Sequence, residues 1–121
     1  MNKLLLATAL IAGAAEARPR DIPVATPDGK AVSCLQTTRI RETRVRSDSV
    51  IDFYTSGGKV YRNTLPNSCP SLGFEEKFAY TTSTSQLCNV DIITVLQSGG
   101  GLSRGASCGL GMFQPVQLAK K

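Results

Sequence analysis

The sequence predicts an all-β fold, either a small partly closed barrel or a curved antiparallel sheet of five to six strands, stapled by disulfides. Three observations predict it. Residues 50–65, VIDFYTSGGKVYRNTL, place two β-branched and aromatic runs around Gly57-Gly58, a pair suited to the positive φ angles of a tight hairpin turn. Four cysteines, an even number, are spread through a chain that opens like an exported protein. The other apolar runs are short, and glycine, proline or serine separates them, with no long helical period.

The first element is an export signal. In residues 1–17, Lys3 supplies the basic start, residues 4–14 an apolar run and Ala15-Glu16-Ala17 a small-x-small cleavage site. That run is shorter than the ~20 residues a membrane span needs, so the mature form is expected to carry no transmembrane segment. Loss of Lys3 and Glu16 removes one charge of each sign and leaves the net charge at +5. Periplasmic or secreted localisation follows. Residues 18–31 contain Pro19, Pro23 and Pro27 with Asp28-Gly29 and read as a flexible linker.

A single β domain is expected over residues 32–116. Residues 32–47 are rich in Thr, Val and Ile and look extended, and Ser47-Asp48-Ser49 turns into the hairpin. With Gly57-Gly58 as a two-residue loop, Tyr54 faces Tyr61, Phe53 faces Arg62 and Val50 faces Leu65. Such a ribbon is marginal alone and must recruit further strands. Residues 66–70, PNSCP, form a pinned loop, followed by a single helical turn through residues 71–74. Residues 78–82 and 87–96 read as strands, the second covered on both sides. Residues 98–109 read as a mobile glycine-rich connector, residues 108–116 as a last strand ended by Pro115, and residues 117–121 as a frayed tail.

The cysteines Cys34, Cys69, Cys88 and Cys108 read as two disulfides. Zinc sites gather ligands in close pairs, whereas no two of these cysteines lie closer than Cys69 and Cys88, and the chain has no histidine. No metal or cofactor is expected. Three connectivities are open to the sequence; the frequent meeting of terminal strands in small barrels favours Cys34 with Cys108 and Cys69 with Cys88.

The order C-x5-I from Cys34 to Ile40, the run KVYRNTLPNSCPSLGF, the segment LCNVDII and the closing CGLGMF resemble a family of small exported four-cysteine proteins of Gram-negative bacteria. That family has no established function. The resemblance spans residues 34–113, and its specificity lies in the four cysteines together with the pattern of Tyr61, Leu65, Cys69, Pro70 and Leu72. It implies export and one compact domain, and it brings no catalytic residues.

Lack of histidine removes Ser-His-Asp, Cys-His and histidine-metal chemistry, and no C-x-x-C redox pair exists. Among the carboxylates, Glu75 and Glu76 are adjacent and would point apart, while Asp91 sits within an apolar run and needs a structural partner. Ser56 and Lys59 match an S-x-x-K spacing, but glycines between them suit a hairpin tip rather than the helix that chemistry requires. The chain is therefore expected not to be an enzyme. Arg39, Arg41, Arg44 and Arg46, with Arg62 and Lys59 in the hairpin, form the candidate binding set. Arginine forks pair with phosphate or carboxylate. A bulge near Glu42-Thr43 is needed to align all four on one side. With Glu42, Asp48 and Asp52 neutralising part of the charge, the plainer alternative is a solvated strand face. The expected partner is a protein or an anionic envelope surface, not nucleic acid, since no stacking aromatics interleave the run. The alternative function is inhibition of a protease or hydrolase by the loop at residues 66–72.

Overall fold

Alternation of side chains along residues 50–55 organises the molecule, because it sends Ile51, Phe53 and Thr55 into the interior and turns Val50, Asp52 and Tyr54 to the opposite face. The computed structural model describes residues 22–82, 84–99 and 103–119. The expected signal at residues 1–17 and the start of the expected linker lie outside the described residues.

The fold is all-β, as expected, but built from ten short strands rather than five or six. They are β1 (Ala25–Pro27), β2 (Cys34–Gln36), β3 (Ile40–Val45), β4 (Val50–Thr55), β5 (Val60–Thr64), β6 (Phe78–Tyr80), β7 (Gln86–Cys88), β8 (Ile92–Gln97), β9 (Ser103–Gly109) and β10 (Phe113–Leu118), with one short helix, α1 (Leu72–Glu75). A five-stranded sheet in the order β1-β10-β5-β4-β3 faces a three-stranded sheet, β6-β8-β9, and a ribbon, β2-β7. Every pairing is antiparallel. The core is contributed by Ile51, Phe53 and Phe113 of the large sheet, Ile93 and Val95 of the second, and Leu35 and Leu87 of the ribbon. Phe53 meets the rings of Phe113 and Phe78 edge-on, at centroid separations of 5.3 and 6.4 Å.

Several boundaries move, each for a physical reason. The hairpin loop holds three residues: Thr55 N–H donates to Lys59 O at 2.9 Å, and Gly57 and Gly58 take φ of 85° and 79°. Pairing therefore slips by one, so that Phe53 faces Tyr61 and Asp52 faces Arg62. Part of the expected linker is sheet, since β1 pairs with β10. The apolar run at 87–96 is two strands, broken where Cys88 N–H donates to the Asp91 carboxylate at 2.7 Å. Much of the expected mobile connector is β9, and β10 continues past Pro115 into the expected tail. The helical turn at α1 is present; Asp48 Oδ1 accepts from Gly73 N–H at 2.7 Å.

Both disulfides exist, with the other connectivity: Cys34 with Cys88 and Cys69 with Cys108. Cys34 and Cys88 are direct partners in the β2-β7 ribbon. The terminal strands do meet, but they are β1 and β10, and neither carries a cysteine.

Asn63, fully buried in β5, donates to Gly111 O at 2.7 Å and accepts from Gly111 N–H at 2.8 Å, closing the approach to β10. A Cβ at Gly111 would overlap the Thr64 carbonyl oxygen. Gly111→Ala is expected to lower stability by about 3 kcal/mol, through the forced backbone shift and the loss of this buried pair of bonds; the urea midpoint measures it.

Candidate functional site

Cross-strand partners share a face of a sheet, so the register spells out the outer surface of the five-stranded sheet row by row. One row runs Glu42, Tyr54, Val60, Val116, Pro27; the next runs Arg44, Asp52, Arg62, Gln114. Hydrophobic and cationic groups thus lie in adjacent stripes on a face opposite the core.

Asp52 is the anchor of the second stripe. Its carboxylate is fully buried and receives Arg62 Nε at 2.8 Å, Arg62 Nη2 at 3.0 Å and Arg46 Nε at 2.9 Å. Arg62 Nη2 also donates to the Pro23 carbonyl at 3.0 Å, which ties the segment before β1 across this face. Arg46 Nη2 donates to the Tyr54 hydroxyl at 3.0 Å. Arg44 lies over the Tyr54 ring, 4.9 Å from its centroid, and its Nε donates to Glu42 at 2.6 Å. That bond, and then the Glu42 charge, holds the Arg44 guanidinium above its ordinary pKa. Tyr54 is therefore clasped by two arginines.

These groups border an open groove of about 690 Å³. Tyr54, Val60, Val116 and Leu118 give it an apolar side; Arg44, Arg46 and Lys59 give it a cationic one. Pro23 and Ala119 also line it, and Asp28 and Gln117 contribute further polar groups.

The five arginines singled out from the sequence are not brought to one place. Arg44 and Arg46 line the groove, Arg62 pairs with Asp52, and Arg39 and Arg41 are not among the groove's lining residues. A bulge does occur, between Ile40 and Glu42, and Arg41 is its extra residue. Arg39 sits in the helical turn before β3 and borders a smaller groove with Tyr61 and Cys34. Arg39 and Arg41 are exposed and make no ion pair among the described residues.

Tyr54 is not singled out by the sequence as a candidate-site residue, and Asp52 reads there only as one of three acids that neutralise part of the arginine charge. An acid between Val50 and Tyr54 on an alternating strand, ten positions from an arginine across a hairpin, was the available signal. Asp91 proves structural, capping its turn through the Cys88 N–H. Glu75 accepts from the Ser98 hydroxyl. Ser56 and Lys59 flank the hairpin tip.

Among the described residues no group of three His, Cys, Asp or Glu side chains could hold a metal ion, and no helix is long and apolar enough to cross a membrane. Two disulfides with no free cysteine fit a chain that folds in an oxidising compartment. Comparison with protein-family models, with curated proteins and with solved structures finds no match.

Proposed function

We propose that this protein is a non-enzymatic binding domain of the cell envelope, exported and disulfide-stapled, which takes an anionic group of an envelope surface or partner into the groove beside Tyr54. The observation that carries this reading is the clasp itself: Arg44 and Arg46 converge on Tyr54 at the edge of an open concavity, with Lys59 close by. Among the described residues, Arg46 Nη1 and both terminal nitrogens of Arg44 carry donors beyond those used in hydrogen bonds. The resemblance to small exported four-cysteine proteins and the absence of histidine from the chain support the same reading.

Binding to phosphatidylglycerol vesicles, followed by co-sedimentation, tests it. Affinity is expected to fall severalfold between about 0.05 and 0.3 M salt, as screening shortens the reach of the cationic side chains, and phosphatidylcholine vesicles should bind little. The double variant Arg44→Gln/Lys59→Gln should lose most of the binding. If Arg39→Gln/Arg41→Gln loses it instead, the site is the β3 edge and not the groove.

One observation favours inhibition of a hydrolase as a second reading. The loop at residues 66–72 is pinned around its exposed residues 66–68: Leu65 N–H donates to the Ser49 carbonyl before them, Cys69 N–H to the Asp48 carbonyl after them, and Gly73 N–H to the Asp48 carboxylate just past the loop. A loop fixed this way loses little entropy on binding. Inhibition insensitive to salt and abolished by reductant would support it.

A further inference from the structure

The groove contains more apolar surface than an anion alone would use. Tyr54, Val60 and Val116 are successive cross-strand partners, and Leu118 follows two residues on, so they form one continuous strip running away from the arginines. Val116 is almost fully buried yet belongs to this outer face, not to the central core. Arg44 and Arg46 lie at the β3 end of the strip and Lys59 at the hairpin tip, while the far side brings Val116 and Leu118 of β10 together with Gln117 and Asp28, so no cation lines the groove at that side. A concavity of about 690 Å³ falls within the range that encloses a ligand of drug-like size.

We propose that the groove binds single-chain anionic amphiphiles, with a phosphate or carboxylate head on Arg44, Arg46 and the Tyr54 hydroxyl and an aliphatic chain along Val60, Val116 and Leu118. The proposal rests on the anion-binding reading above and adds the chain. Charge complementarity sets the direction of entry. The Tyr54 hydroxyl accepts from Arg46, so its own proton is available for an oxyanion. The Arg44 guanidinium, with its Nε held by Glu42 and its plane over the Tyr54 ring, keeps its terminal N–H groups for the head. Head and tail are thus recognised by different strands, and neither half alone satisfies the groove.

Titration of the disulfide-bonded protein with decyl phosphate below its micelle concentration, followed by amide NMR shifts and calorimetry, tests the proposal. Decyl phosphate is expected to bind about fiftyfold more tightly than inorganic phosphate, the gain from burying some three methylenes, with shifts centred on Tyr54, Val60, Val116 and Leu118. Decanoate should behave likewise, which would separate a carboxylate source from a phosphate source by their relative affinity. Arg44→Gln should weaken decyl phosphate severalfold, and Leu118→Ser should weaken it while leaving inorganic phosphate unchanged; both side chains are partly exposed, so the fold should tolerate either change. Equal affinity for decyl phosphate and inorganic phosphate would overturn the proposal and leave the anion site standing. Octyl glucoside binding as tightly as decyl phosphate would overturn it by removing the role of charge. Failure of decyl phosphate, inorganic phosphate and phosphatidylglycerol vesicles alike would overturn both readings.

Discussion

Asp52→Ala will destabilise the domain by about 3–5 kcal/mol, the cost of leaving buried charge without its partner. The reason lies in what remains. The side chains of Arg46 and Arg62 are only 17% and 16% exposed, and both guanidiniums converge on the carboxylate that is removed. Without it, two like charges lie side by side with little water to solvate them, and among the described residues Arg62 retains only its bond to the Pro23 carbonyl. Asp52→Asn keeps the shape and one acceptor oxygen, so it should cost less, about 1.5–3 kcal/mol for bonds to charged groups. Replacing the whole cluster, as Asp52→Leu/Arg46→Met/Arg62→Met, should recover most of the loss, because apolar side chains of similar volume substitute well for a buried ionic cluster. Urea midpoints of the three variants measure the series. A cost below 1 kcal/mol for Asp52→Ala would mean that water reaches the carboxylate. The triple variant also lacks Arg46, so it should fold but bind anionic vesicles weakly, separating the scaffold role of the cluster from its part in the groove.

The glycine-tipped ribbon could be read in the sequence because β-branched and aromatic runs around Gly57-Gly58 leave few other local solutions. Its register could not. A loop of two or three residues uses the same glycines, and that one-residue difference decides whether Asp52 meets Asn63 or Arg62. Proline rules misled in two neighbouring strands at one edge of the large sheet. Pro27 lies in the edge strand β1, where a missing donor is tolerated, and Pro115 lies within β10, which continues to Leu118. The split of residues 87–96 depends on one side chain, Asp91, bonding back to Cys88, and a local bond of that kind leaves no periodic trace. The arginine-rich strand was visible as a cationic feature. Its division into Asp52 partners, groove residues and exposed groups depends on register, and so became visible only with the pairing of β3, β4 and β5.

Reduction of both disulfides is expected to unfold the domain at 37 °C. On the chain-entropy model, crosslinks closing loops with separations of 54 and 39 residues contribute about 4 kcal/mol each. Together they match the whole net stability of an ordinary domain, about 5–15 kcal/mol. The two bonds should not act alike. Cys34 and Cys88 join strands already paired over three residues, so Cys34→Ala/Cys88→Ala is expected first to loosen the β2-β7 ribbon, exposing Leu35 and Leu87. Cys69 is fully buried and belongs to the loop after β5, whereas Cys108 lies in β9, so their bond ties the large sheet to the three-stranded one. Cys69→Ala/Cys108→Ala therefore removes the covalent link between the two layers and leaves a void beside Leu72, and its urea midpoint should fall further than that of the first pair. Hydrogen exchange separates the two cases: faster exchange confined to β2 and β7 for the first variant, faster exchange across both larger sheets for the second. If the midpoint of the intact protein is the same with and without reductant, the apolar interior alone holds the sheets together, and the staple has no thermodynamic role.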